Sequence, residues 1–137
     1  MPKPCNHDSR PLYELLVDPL RDVARRLGYA IGVHGTLKRD IDLIAVPWTS
    51  SAVSAKTLAR ALQAKAREIV GYAEPCRIEM NSSNPKWFRD GCAGYIKGHG
   101  RITIKPHGRK CWPIHLTPTQ DGPYIDLSVM PRANELN

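Results

Sequence analysis

The stretch YAIGVHGTLKRDIDLIAVP, residues 29–47, consists of two apolar runs joined by a short polar connection. Residues 29–34 and 40–47 are rich in aliphatic and β-branched side chains, which favours strands. Gly35 and Thr36 begin the connection, and a glycine suits a tight turn at that point. The stretch therefore predicts two strands joined by a tight connection.

Amphipathic helices are predicted on both sides of this strand pair. Before it, apolar residues recur at three- and four-residue steps and form one face. These residues are Leu12, Leu15, Leu16, Leu20, Val23, Ala24 and Leu27. Asp18-Pro19 matches an N-cap followed by a first helical position, which predicts two helical pieces with a kink. After the strands, a helix is predicted over residues 52–70, ending at Gly71.

The C-terminal half contains further strand-like runs, at residues 76–80, 101–105, 111–117 and 124–130. A glycine- and asparagine-bearing segment at 81–100 separates the first of them from the rest, and long loops of this kind are often functional. The order of elements predicts an α/β (α+β) fold, a mixed β-sheet with two main helices packed on one face. We expect an N-terminal arm at residues 1–10, one domain at 11–131 and a tail at 132–137.

The composition favours some partners and excludes others. A net charge of +7 and a pI near 9.5 favour polyanions such as nucleotides or nucleic acid, although such a charge also serves solubility alone. No apolar run approaches the roughly 18 residues of a membrane span, so no membrane partner is expected. The polar N-terminus and four cysteines without a C-x-x-C pair favour free thiols in the cytoplasm. The oligomeric state is not predictable from these features.

Two of the predicted strands carry aspartate within apolar sequence. Side chains two positions apart in a strand point to the same face. Asp40 and Asp42 therefore share a face, whereas Ile41 and Leu43 share the opposite one. Asp126 likewise points away from its apolar neighbours in the last strand. Because aspartate is a poor strand residue, these positions call for an explanation.

A divalent cation would explain the aspartates. Close carboxylates repel each other unless something neutralises them, and Mg²⁺ prefers carboxylate oxygens together with substrate phosphates. Gly35 and Thr36, just upstream, have the residue types that let backbone N–H groups approach a phosphate closely. The sequence thus predicts a Mg²⁺ (or Mn²⁺) site beside a phosphate-binding turn. The alternative interpretation is that the aspartates face solvent and Gly35-Thr36 is an ordinary turn.

The order of these motifs resembles the nucleotidyltransferase superfamily, which is related to polymerase β. That family has a Gly-Ser or Gly-Gly pair, then Asp-x-Asp or Asp-x-Glu, then a third carboxylate on a later strand. Gly35-Thr36, Asp40-Ile41-Asp42 and Asp126 match these elements in turn. The resemblance covers residues 12–70 and 101–131. Three runs also resemble small uncharacterised phage and prophage proteins: residues 34–42, 105–109 and 124–131.

The resemblance implies a minimal nucleotidyltransferase-like fold and a role for each matching residue. Asp40, Asp42 and Asp126 would hold the metals, and Asp126 would also be catalytic by helping to activate an acceptor hydroxyl. Gly35 and Thr36 would bind the nucleotide phosphates. Lys105 and Arg109 are candidates for neutralising the phosphate charge. Thr36 in place of serine and the three-residue connection to Asp40 depart from the family pattern, and both the acceptor and catalysis itself stay open.

Two other functions are compatible with the sequence. His34-Gly35-Thr36 and His115-Leu116-Thr117 fit the His-x-Thr pattern of two-histidine phosphoesterases, which use paired histidines as acid and base. A non-enzymatic nucleic-acid-binding module is the other, because aromatic residues alternate with basic ones and could stack on bases. The aromatic residues are Trp48, Trp87, Phe88, Tyr95 and Trp112, and the basic ones are Lys86, Arg89, Lys97, Arg101, Arg109 and Lys110. For Trp48 and Trp112 we expect a place in the core or at its edge.

Overall fold

A computed structural model describes residues 8–74, 103–104, 106–118 and 122–135. Its helices are α1 (Arg10–Arg26) and α2 (Ala55–Val70), and its strands are β1 (Tyr29–His34), β2 (Ile41–Pro47), β3 (Thr103–Ile104), β4 (Lys110–His115) and β5 (Tyr124–Val129). The predicted strand at 76–80 and the segment 81–100 lie outside the described residues, as do most of the N-terminal arm and the last two residues of the tail. Residues 133–135 of that tail form a 3₁₀ turn.

The five strands form one mixed sheet in the order β1-β2-β5-β4-β3. β2 and β5 are parallel, whereas the other three neighbouring pairs are antiparallel. The last of the described strands therefore lies in the middle of the sheet. This arrangement places the beginnings of β2 and β5 side by side, which decides the geometry of the candidate site.

Both helices pack on the same face of the sheet, as the sequence predicted. Alternate residues of β2 and β5 are almost completely buried, among them Leu43 and Leu127, at 2% and 0% exposure. Leu16 and Leu20 of α1 and Leu58 of α2 belong to the same core cluster. The period-2 pattern of the strands thus assigns one face to the helices and leaves the other face for polar side chains.

α1 is continuous through Pro19, so the prediction of two helical pieces was wrong. Pro19 lacks the N–H that would bond to the carbonyl of Leu15. Leu15 is 54% exposed, on a side of the helix where solvent can satisfy that carbonyl. Leu16 and Leu20, on either side of the proline position, are both buried in the core. Burial on both turns holds the helix together at a position where local sequence favours a break.

Ser9 connects the start of α1 to the polar connection between β1 and β2. It is fully buried, its backbone N–H donates to the Leu37 carbonyl at 3.0 Å, and its hydroxyl donates to the Arg39 carbonyl at 3.0 Å. Leu37 has a positive φ of 63°, a conformation that needs such external support. Ser9 therefore holds in place the segment that leads to Asp40.

We expect Ser9→Ala to lower the free energy of unfolding by about 1 kcal/mol, because one partly buried hydrogen bond is lost. Urea unfolding followed by circular dichroism measures the change. Ser50→Ala, at an exposed serine in the connection before α2, is the matched control and should change stability by less than about 0.5 kcal/mol. Equal stability of the two variants would contradict the role assigned to Ser9.

Candidate metal centre

The parallel pairing of β2 and β5 brings the predicted aspartates together. Asp42 and Asp126 are direct register partners, so both side chains point to the face away from the helices. Asp40, two positions before Asp42, joins them from the connection. One carboxylate oxygen of each of the three residues lies within 4.8 Å of the others, and all three side chains are partly buried. Oxygens at this spacing can share one cation.

The charges of this cluster are unbalanced. Burial raises the pKa of Asp42, and the negative charges of Asp40 and Asp126 raise it further. His34, the register partner of Asp42 on β1, lowers that pKa and so offsets part of the effect. A bound divalent cation would remove the repulsion, since an opposite charge close to a carboxylate favours its ionised form.

Tyr124 is a member of the site that the sequence analysis missed. Its hydroxyl is hydrogen-bonded to Asp40, and burial together with that carboxylate raises the pKa of Tyr124 to about 12. The ring packs against His115, with 5.4 Å between ring centroids. The signal was present in the sequence, because Tyr124 stands two positions before Asp126 and must share its face. A phenol that stays protonated can orient the Asp40 carboxylate by donating to it.

Gly35 passes directly against the aspartates. Its φ is +80°, and a Cβ added there would lie 2.6 Å from Oδ2 of Asp42. Thr36 is exposed, and its hydroxyl oxygen accepts a hydrogen bond from the N–H of Lys38 at 3.4 Å. The turn predicted to bind phosphate thus begins in contact with the carboxylates, although nothing bulkier than glycine fits at its first position.

Of the two basic residues predicted to neutralise phosphate charge, Lys105 and Arg109, the structure describes only the second. Lys105 lies outside the described residues. Arg109 immediately precedes β4, whose first residue, Lys110, pairs with Val129. Val129 is three positions beyond Asp126, or roughly 10 Å along the strand. Pro113 is the β4 residue opposite Asp126. Arg109 Nε is buried without a hydrogen-bond partner among the described residues, and its role toward a phosphate stays a prediction.

The geometry argues against the two-histidine phosphoesterase. His34 is on β1 and His115 on β4, so β2 and β5 separate them. Three strand spacings amount to about 14 Å, too far for an acid and a base to act on one phosphate. His115 is also only 8% exposed and packs on Tyr124. Its ring therefore contacts Tyr124 and does not face a second histidine.

The aromatic residues that were candidates for stacking on bases differ in their exposure. Trp112 is 4% exposed and belongs to the core, as predicted. Trp48 is 63% exposed, so the expectation of a core or core-edge position was wrong. It follows β2 directly, and its N–H donates to the Gly28 carbonyl at 3.0 Å, which holds its backbone just beyond the paired ends of β1 and β2 and leaves its ring exposed. Trp87, Phe88 and Tyr95 lie outside the described residues.

Comparison with known proteins gives no functional information about this chain. No protein-family model, no curated protein and no solved structure matches it. Within the described part of the chain, neither helix has the length and apolar character needed to cross a bilayer. The carboxylate cluster is therefore the feature on which a functional proposal has to rest.

The raised pKa of Asp42 predicts a pH dependence of stability. The pKa of an aspartate carboxyl in the unfolded chain is about 3.9, and in the folded protein the pKa of Asp42 is higher. Protonation of Asp42 therefore stabilises the fold fully below the unfolded pKa, and this contribution is lost as pH rises through the folded pKa. In a chelator, the free energy of unfolding should therefore fall more steeply from pH 4 to 7 in the wild type than in Asp42→Asn. Urea unfolding at each pH measures this. Glu14→Gln, at an exposed position of α1, should retain the wild-type slope, and parallel curves for Asp42→Asn and the wild type would contradict the prediction.

Proposed function

We propose that this chain binds Mg²⁺ or Mn²⁺ through Asp40, Asp42 and Asp126, and with it the phosphates of a nucleotide, in the manner of a nucleotidyltransferase. The observation that supports this most strongly is the register pairing of Asp42 with Asp126 on parallel strands, with Asp40 and the Gly35 turn against them. Three carboxylates and a closely approaching backbone turn are the parts that a metal-bound phosphate requires.

Each residue has a distinct part in the proposed chemistry. Asp40 and Asp42 supply carboxylate oxygens to the cation, and the Tyr124 hydroxyl orients Asp40. Asp126 completes the carboxylate set and would accept a proton from an acceptor hydroxyl. The backbone at Gly35 and Thr36 offers N–H groups to phosphate oxygens. A bound cation would neutralise the charge that develops at the α-phosphate as the acceptor oxygen bonds to it and pyrophosphate leaves.

Metal binding is the first step to test. Because a ligand that binds only the folded state stabilises it by mass action, millimolar Mn²⁺ should raise the melting temperature of the wild type. Mn²⁺ should also broaden NMR signals of residues around Asp42. Asp42→Asn should lose both effects and yet be as stable as the wild type, or slightly more so, in a chelator, since one repelling charge is gone.

The same Mn²⁺ titration has outcomes that would refute the proposed metal site. Asp22→Asn, at an exposed aspartate of α1, is the matched control and should keep the Mn²⁺ response. If the wild type shows neither a melting shift nor signal broadening near Asp42 at millimolar Mn²⁺, the proposed metal site is wrong. If Asp42→Asn responds like the wild type, Mn²⁺ binds elsewhere, and the proposal fails as well.

A further inference from the structure

A second surface of the molecule lies away from the aspartates. A groove of about 580 Å³ runs between α1 and the edge strand β1, with Trp48 at its border. β1 is the first strand in the sheet order, so among the described residues its outer backbone groups have no strand partner. An edge strand beside an exposed tryptophan is a surface on which a further chain can dock.

The charges of the groove are balanced. Asp18, Arg21, Asp22 and Arg25 line it from α1, two acids and two bases, although the whole chain carries a net charge of +7. A neutral groove has no preference for a polyanion. Arg25 contacts Asp22 within the chain at 2.6 Å, but both side chains are well exposed, so exchanging this contact for another costs little.

These four charges are complementary to themselves under a twofold rotation. If α1 packs antiparallel to α1 of a second copy, with the axis between Arg21 and Asp22, then Arg21 of each copy faces Asp22 of the other. The same rotation brings Asp18 of each copy to Arg25 of the other. A twofold interface requires this kind of self-complementarity. The order acid, base, acid, base along α1 provides this self-complementarity.

One axis serves the helix and the strand together. Arg21 Nε lies 3.4 Å from the Ile31 carbonyl oxygen, so the middle of this helix face is level with the middle of β1. An axis at that level also pairs β1 antiparallel with β1 of the second copy, which satisfies the outer backbone groups of both strands. The contact of Arg21 with the Ile31 carbonyl, which strand pairing would replace, is weak because 3.4 Å is long for a hydrogen bond.

The exposed apolar residues fit the same rotation. Leu15 is 54% exposed and lies about 10 Å from the axis along α1. Trp48 is 63% exposed and is bonded to Gly28, about 11 Å from the axis along β1 in the opposite direction. The rotation therefore carries Leu15 of one copy toward Trp48 of the other. Two apolar contacts would flank the central charges.

We propose that a second copy of this chain occupies the groove, giving a twofold dimer with a continuous sheet across β1. The proposal is independent of the metal site, since none of the groove residues belongs to it. Sedimentation equilibrium of the 137-residue chain at tens of micromolar should give twice the monomer mass of 15.3 kDa. A monomer mass at concentrations up to a few hundred micromolar overturns the proposal.

Charge exchange tests the predicted axis. Arg25→Asp places two carboxylates against each other in both symmetric pairs, and each clash should cost about tenfold, so the dimer dissociation constant should rise about 100-fold. Asp18→Arg should have the same effect. The variant with both substitutions restores opposite charges and should return to within about threefold of the wild type.

A neighbouring arginine supplies the control. Arg26→Asp makes the same charge change on the same helix, and Arg26 also contacts Asp22, at 3.0 Å, but it does not line the groove. It should leave the dissociation constant within about threefold of the wild type. A dimer that tolerates Arg25→Asp, or a doubly substituted chain that stays monomeric, would show that the copies do not meet at this axis. Circular dichroism of each variant verifies the fold.

Discussion

Asp126→Asn should reduce the Mg²⁺-dependent affinity for a nucleoside triphosphate by about 100-fold or more. The residue pairs directly with Asp42 in the centre of the sheet and supplies one of the three carboxylates of the cluster. Even residues that only orient metal ligands cost 10- to 100-fold when changed, and Asp126 is proposed to be a ligand itself. Isothermal titration of ATP into wild type and variant, with and without Mg²⁺, gives the comparison. An amide of nearly equal size keeps the packing of β5, so the fold should be retained.

Comparison with other variants separates this proposal from the two alternatives. His115→Ala should leave metal-dependent nucleotide binding within about threefold, whereas in a two-histidine phosphoesterase it would abolish a metal-independent hydrolysis that Asp126→Asn spares. In a nucleic-acid-binding module neither change would matter. Affinity for RNA or DNA would instead fall with salt and weaken in Trp87→Ala. Identical, metal-independent responses of wild type and Asp126→Asn would refute the nucleotidyltransferase proposal.

The second large effect is expected at Gly35. Gly35→Ala forces a non-glycine residue to φ +80° and places its Cβ 2.6 Å from Oδ2 of Asp42. The left-handed backbone should cost about 1–2 kcal/mol of stability. The added methyl group must also displace the Asp42 carboxylate, so Mn²⁺ affinity should fall at least about tenfold. Urea unfolding and metal titration of the same sample measure the two effects.

Gly71 provides a matched control for this substitution. It ends α2 at φ +88°, nearly the same backbone conformation, but an added Cβ would meet nothing within 4 Å. Gly71→Ala should therefore lose a similar amount of stability and keep the wild-type Mn²⁺ affinity. The prediction is contradicted if both variants bind Mn²⁺ equally well, because the close approach of Gly35 to Asp42 would then be without effect on the site.

Local pattern was sufficient to predict much of this fold. The strand at residues 29–34 and the helix ending at Gly71 follow from alternation, helical periodicity and capping, which depend on near neighbours in the chain. The same alternation predicted that Asp40 and Asp42 share a face. It failed at Pro19, where burial of both adjoining turns overrides a local signal for a break. In that case tertiary packing decides what local propensity cannot.

The remaining features depend on pairing between distant parts of the chain. Nothing in residues 41–47 indicates that β5, not β1 alone, lies beside them, and this pairing is what brings Asp126 to Asp42. The contact of Tyr124 with Asp40 follows from the same register, whereas the position of Arg109 follows from the pairing of β4 with β5. Exposure of Trp48 depends on its position just beyond the end of β2, opposite Gly28. These features are determined by the order of the strands in the sheet, which differs from their order in the sequence.

The position of β5 also has a consequence during synthesis of the chain. Because the strand between β2 and β4 is the last of the described strands, a ribosome must release residues 124–129 before the sheet can close. A nascent chain that ends earlier contains both helices, but neither the middle of their supporting sheet nor the third carboxylate. Long-range closure of this kind is slow compared with helix formation. The carboxylate cluster can therefore assemble only after residues 124–129 have emerged, later than both helices.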